Sequence, residues 1–151
     1  MLDAFFLKLK LRMINIWPPF LFSGIWVSYP DSNLRTVVVS LRDYFLNRNA
    51  QGTHYGGSLF SMTDPFYALI LMNALGPKYI VWDKSAEIQF LKPGRKLVRA
   101  EFHIPEEEIE KIRITLETER KVEPVFDATV VDLEGTVVCK VKKVLYVRKR
   151  A

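Results

Sequence analysis

Apolar residues run almost without a break from Leu59 to Leu75, while elsewhere they fall into shorter patterns, several of period two. From Gly57 to Leu75 is 19 residues, and Leu59, Phe60, Met62, Phe66, Tyr67, Leu69, Ile70, Leu71, Met72 and Leu75 occupy nearly every angle of a helical wheel. A helix that is hydrophobic all round has to be enclosed by other elements. At its usual rise it would extend about 28 Å, enough to cross a small domain. Gly76-Pro77 then stops it. The pattern predicts a polar, glycine-containing loop feeding an enclosed central helix over residues 53–75, with Asp64 as the single acid inside it.

The flanking segments predict the enclosure. Residues 1–17 place Leu2, Phe5, Phe6, Leu9, Met13 and Ile16 on one helical stripe with Lys8 and Arg12 opposite. That amphipathic helix suits a lid packed on the domain, or an anionic membrane surface; Pro18-Pro19 is expected to end it. Leu21–Tyr29 and Leu34–Leu41, separated by the turn formers of 30–33, predict a hairpin. Beyond Pro77 the period becomes two: Ala86, Ile88 and Phe90 share one face, and Val98, Ala100, Phe102 and Ile104 another. Pro105 followed by three glutamates opens a short helix with Ile109, Ile112 and Leu116 inward. Two strands follow, one around Phe126, Ala128 and Val130, the other over 136–147. Lys143 interrupts the apolar odd-numbered face of the last strand, which predicts a bulge or a change of environment there. The sum is an α+β chain with an antiparallel sheet of about six strands wrapped around one long helix, an N-terminal helix and one short helix.

Composition narrows the function. A chain of 151 residues with 49% hydrophobic and 26% charged residues is expected to form a single ordered domain over 1–151. One cysteine, Cys139, excludes an intrachain disulfide and fits a reducing, cytoplasmic compartment. A net charge of +5 suits an anionic ligand and is too small to suggest a nucleic-acid binder. Neither a membrane span nor a cleavable leader is expected from the apolar runs. Metal-ligand spacings, a P-loop and a dinucleotide fingerprint are not evident.

The candidate chemistry lies in Asn49–Asp64. An Asn, the pair Gly56-Gly57 opening a helix, and an acid within that helix 15 residues after the Asn resemble the signature of PaaI-type thioesterases of the hotdog fold. Over its whole length, through the closing Leu145-Tyr146-Val147-Arg148, the chain is most similar to the DUF4442 branch of that superfamily. The resemblance implies hydrolysis of an acyl-CoA or similar thioester, with coenzyme A as part of the substrate and no separate cofactor. Asp64 would be general base or nucleophile, the Gly57 N–H would polarise the carbonyl, and Asn49 would orient the water or the thioester. It also implies an obligate homodimer in which the helical acid faces the glycine turn of the partner chain, with tetramers as dimers of dimers. A non-catalytic acyl-CoA or fatty-acyl binding protein on the same fold is the alternative. A hydratase would need a His–acid pair for which only His54 is available.

Physical reasoning on the residues agrees with these roles. Glycines let a ligand approach the helix start, where unpaired N–H groups and the dipole stabilise negative charge. Asp64, set among Phe60, Met62 and Phe66, is expected to have its pKa raised by desolvation. Thr63-Asp64-Pro65 also reads as a helix cap followed by proline, which would make Asp64 structural. Tyr55 stands where the family carries His, with His54 one position earlier; that imidazole could touch substrate or be a solvated loop histidine. Thr53, His54, Tyr55 and Gly56 are candidate substrate contacts. Lys92 and Arg95, in a turn after a strand, could hold phosphates of coenzyme A or be solvated edge cations. Phe60, Tyr67, Trp82 and Phe90 are expected to line an acyl chain.

Overall fold

The computed structural model describes residues 13–150. The expected N-terminal helix lies mostly outside them; of it the structure describes Met13, which is helical, and the 3-10 turn Ile14–Ile16. Six strands form one antiparallel sheet: β1 (Ile25–Ser28), β2 (Thr36–Leu41), β3 (Tyr79–Phe90), β4 (Val98–His103), β5 (Val125–Asp132) and β6 (Val137–Lys149). Their order across the sheet is β1-β2-β4-β5-β6-β3, so β3 is an edge strand although it is 12 residues long.

The helices are α1 (Pro18–Ser23), α2 (Gly56–Ser61), α3 (Phe66–Leu75) and α4 (Glu106–Thr118). The N-terminal helical segment stops before Pro18-Pro19 as expected, with Trp17 extended, but the same prolines also start α1, because proline is well placed in a first helical turn. The strand expected from Leu21 therefore begins only at Ile25, after Gly24 has reversed the chain with φ 75°.

The central helix is enclosed as expected: Phe66, Tyr67, Ala68, Ile70, Leu71 and Leu75 are buried, and its rings pack on Phe102 and Phe126 of the sheet. It is interrupted, however. Between α2 and α3 the backbone tightens, with the Thr63 and Asp64 N–H groups donating to the carbonyls of Phe60 and Ser61 at 2.9 and 3.1 Å. Pro65 has no N–H with which to continue the ladder, and Asp64–Pro65 is a cis peptide. What the sequence pattern presents as one rod is two segments around a corner, and Asp64 sits at the corner.

Along β6, Cys139, Val141, Leu145 and Val147 face the core, as does Lys143, which is only 2% exposed. The anomaly in the pattern is thus a buried ammonium. The matching irregularity lies in the neighbouring strand: Ala86 pairs with Lys143 and Ser85 with Val144, but Asp83 pairs with Leu145, so Lys84 is the extra residue of a bulge. Since neighbouring side chains alternate between faces, the bulge turns Asp83 to the inner face and Lys84 outward. The half of β3 beyond the bulge is an open edge, with Ala86 and Phe90 exposed where the pattern predicts burial. His103 is exposed on the face of β4 opposite the core and bonds to Thr36 at 3.0 Å.

Candidate active site

Two depressions flank α2. The first, about 330 Å³, is lined by Asn49, Thr53, His54, Gly56, Phe90 and Lys92, among others. The loop beneath it is tied by Asn49, whose Nδ2 donates to Thr53 Oγ1 at 2.9 Å and to the His54 carbonyl at 3.3 Å. Its Oδ1 accepts from the Gln51 and Thr53 N–H groups at 2.9 and 3.1 Å. Asn49 therefore holds the loop that leads into the glycine pair with its whole amide.

His54 is not solvated: it is 2% exposed, and its Nε2–H donates to the Lys96 carbonyl at 2.8 Å. That bond leaves Nδ1 as a buried acceptor without a partner among the described residues. Burial pushes the imidazole below its ordinary pKa, against the carbonyl and Asp43, which favour the charged form. Phe90 lies against Gly56, where an added Cβ would stand 3.3 Å from the ring. Tyr55 folds over Gly57 so closely that a side chain there would collide with it. Lys92 lines the depression; Arg95 is exposed and outside it.

The second depression, about 440 Å³, is lined by Trp17, Phe20, Phe60, Asp64, Asp83 and Lys143, among others. Asp64 does not cap α3: the N-cap residue is Pro65 and no side chain caps that helix. Its carboxylate instead accepts from Lys143 Nζ at 2.5 Å, and Asp83 Oδ2 lies 3.4 Å from the same nitrogen. The side chain of Asp64 is 53% exposed, so it opens on the cavity. Desolvation pushes its pKa up as expected, but hydrogen bonds with Asp83 and Lys143, and the ammonium charge, outweigh it and leave Asp64 below the usual carboxylate range. The expected rise occurs at Asp83, pushed up to about 6 by burial and by its hydrogen bond with Asp64, against the pull of Lys143.

Within one chain, then, Asn49, Thr53, His54, Gly56 and Lys92 meet at one depression and Asp64 at the other. Sequence reasoning missed Asp83. The available signal was Lys143: an ammonium on a core-facing position needs a carboxylate nearby, and the facing strand supplies Asp83. Of the expected acyl lining, Phe60 and Phe90 do border cavities. Tyr67 is core, its hydroxyl donating to the Asp127 carbonyl at 2.7 Å, and Trp82 stacks on Tyr146 on the outer face with centroids 4.4 Å apart. Cys139 is buried core, its thiol pushed up to about 11 by burial. Among the described residues no cluster of potential metal ligands occurs, and no helix is long and apolar enough to cross a membrane.

An antiparallel sheet curled around a central helix defines the hotdog fold. More particularly, the chain belongs to the DUF4442 family (domain of unknown function), which matches residues 8–147. Its fold is similar to a Pseudomonas aeruginosa protein of unknown function described as a probable thioesterase (TM-score 0.82, 17% identity, 95% of each chain covered). It is also similar to the E. coli PaaI protein from the phenylacetic acid degradation operon (TM-score 0.64, 16% identity, 95% of this chain and 92% of that one). A third likeness is to a Haemophilus influenzae thioesterase (TM-score 0.66, 14% identity, 92% and 88% covered). No curated protein sequence matches the chain.

Proposed function

We propose that this protein is a thioester hydrolase that cleaves an acyl-CoA or a similar thioester to a carboxylic acid and a free thiol. The observation that carries the reading is the placement of Asp64: an ionised carboxylate at a helix break, facing a cavity and not its own backbone. Asp64 draws a proton from a water molecule as that water attacks the thioester carbonyl. The Gly57 N–H, in the first turn of α2 where no intrahelical acceptor exists, stabilises the oxygen that gains charge. Asn49 contributes by fixing the turn, His54 and Thr53 border the substrate, and Lys92, with Arg95 further out, meets the phosphates of coenzyme A. Coenzyme A is part of the substrate, and no cofactor takes part in these steps.

The two halves of this machinery lie in separate depressions of one chain, so the proposal includes a homodimer in which Asp64 of one copy faces the glycine turn of the other. The open edge of β3 supports it: a long edge strand leaves backbone groups unpaired, and Phe90 and Leu91 are exposed near its end. Tetramers would be dimers of this dimer. A cytoplasmic setting suits the single cysteine.

Tyr55 folded over Gly57 favours a second reading, an acyl-CoA binding protein without turnover. Thiol release from a panel of acyl-CoAs separates the two. The hydrolase predicts turnover that Asp64→Asn abolishes while ligand affinity is kept. Tight binding by the unaltered protein without thiol release would establish the binder.

A further inference from the structure

The cavity beside Asp64 holds two carboxylates around one ammonium. Lys143 Nζ sits 2.5 Å from Asp64 and 3.4 Å from Asp83, deep enough that its side chain is 3% exposed. Asp83 is aimed at it by the bulge, which displaces Lys84 from the inner face of β3. Asp83 Oδ1 is buried and meets no donor among the described residues. A proton held between the two carboxyls would supply one.

The surroundings isolate this group. Lys84, at the cavity rim, has its charge paired with Glu123 at 2.5 Å. Trp17, just before α1, and Pro19 and Phe20 within it form one wall, none of which titrates, and α2 contributes Phe60, its ring centroid 6.0 Å from Lys143 Nζ, and Ser61. Lys143 is flanked by Ala86 on β3 and Phe126 on β5. From β3 the cavity is also bordered by Lys84, whose ammonium is held by Glu123, and by Ser85.

A lone aspartate gripped by an ammonium is a feeble base, because the ammonium favours its ionised form. Two ionised carboxylates around one ammonium carry a net charge of −1 in a partly desolvated cleft, and one added proton makes the group neutral. That group has a reason to take a proton which Asp64 alone lacks. We propose that Asp64 and Asp83 act as one base, Asp64 facing the reacting water and Asp83 sharing the proton it takes, with Lys143 holding the pair. This rests on the hydrolase reading for its chemistry. The water oxygen bonds to the thioester carbon, its proton passes to the pair, and the C–S bond breaks with its electrons leaving on sulfur. The pair then returns the proton to the thiolate and is ionised again. Hydrogen bonds with Asp83 and Lys143 hold Asp64 below the usual carboxylate range, whereas burial and the hydrogen bond with Asp64 push Asp83 up to a pKa of about 6. It lies near the range in which a general base works best at neutral pH.

Carboxyl carbon NMR of the protein with labelled aspartate tests the pair without any substrate. One aspartate should titrate near pH 6 in the unaltered protein, and that midpoint should vanish in both Asp83→Asn and Asp64→Asn, since either amide ends the sharing. A midpoint near 6 that survives in Asp64→Asn, or the absence of any aspartate titrating above about 5, would overturn the proposal. Asp83→Ser serves as a second variant should the amide disturb folding. On an acyl-CoA that is turned over, the acid limb of kcat/KM should lie near pH 6. In Asp83→Asn it should move down by at least a unit, with a rate loss on the order of 10-fold or more. An acid limb unmoved by Asp83→Asn would also overturn it. A shared titration in a protein that releases no thiol removes the thioester assignment and keeps the proton-sharing pair.

Discussion

Lys143 Nζ lies 2.5 Å from Asp64 Oδ1, joining the last strand of the sheet to the break in the central helix across 79 residues of chain. The contact fixes where the acid points, and it places a positive charge inside a sheet whose neighbouring inward positions are Val141 and Leu145.

Replacing Lys143 by Met tests the electrostatics of the site. Methionine fills a similar volume without charge, so both carboxylates lose their attraction and repel each other. The last proton of the pair then comes off at higher pH. The acid limb of the pH–rate profile should shift upward, opposite in direction to Asp83→Asn, and aspartate titration by NMR should show the same sign.

Removing the acids instead of the lysine should expose the cost of burying an unpaired ammonium. Asp64→Ala alone leaves Asp83 as a partner and should be tolerated. The Asp64→Ala, Asp83→Ala double variant strands Lys143, which should destabilise the fold by about 3 kcal/mol. Adding Lys143→Met to that double variant should recover most of the loss, as read from denaturant midpoints.

The pH dependence of stability carries a signature of Asp83. Its folded pKa, about 6, lies above the ordinary 3.8, so the folded state binds the proton more tightly than the unfolded chain. Stability from this group is therefore greatest below pH 4 and is lost as pH rises to about 6. Asp83→Asn should gain stability relative to the unaltered protein between pH 4 and 7, measured as the difference in melting temperature. His54 acts in the opposite sense. Its folded pKa is below 6.5, so its neutral form is favoured in the fold and stability falls as pH drops below 6.5. His54→Gln should flatten that loss.

Gly94 offers a test of the other depression. A Cβ there would stand 3.0 Å from His54 Cδ2 and 3.1 Å from Val138 Cγ1, both on buried residues. Gly94→Ala should cost about 1–3 kcal/mol by overpacking and lower the melting temperature. It should leave the aspartate titration near pH 6 unchanged.

The sequence determined the enclosure and one of its contents. An apolar stretch hydrophobic on all sides can only be satisfied inside a wrap of half-buried strands, so the sheet, the central helix and the short helix with Ile109, Ile112 and Leu116 inward were all legible from spacing. Asp64 stood out because it is the single acid in that stretch. Its environment was not legible, because the groups that set its charge come from strands 19 and 79 residues further along. Local apolar neighbours predicted a raised pKa at Asp64; the tertiary structure moved the rise to Asp83 by adding an ammonium and a second carboxylate. Lys143 announced in the pattern that something irregular had to face it, yet which residue would answer depended on register. A single bulged residue, Lys84, decided that Asp83 turns inward, and a one-residue slip in strand pairing leaves no mark in the sequence.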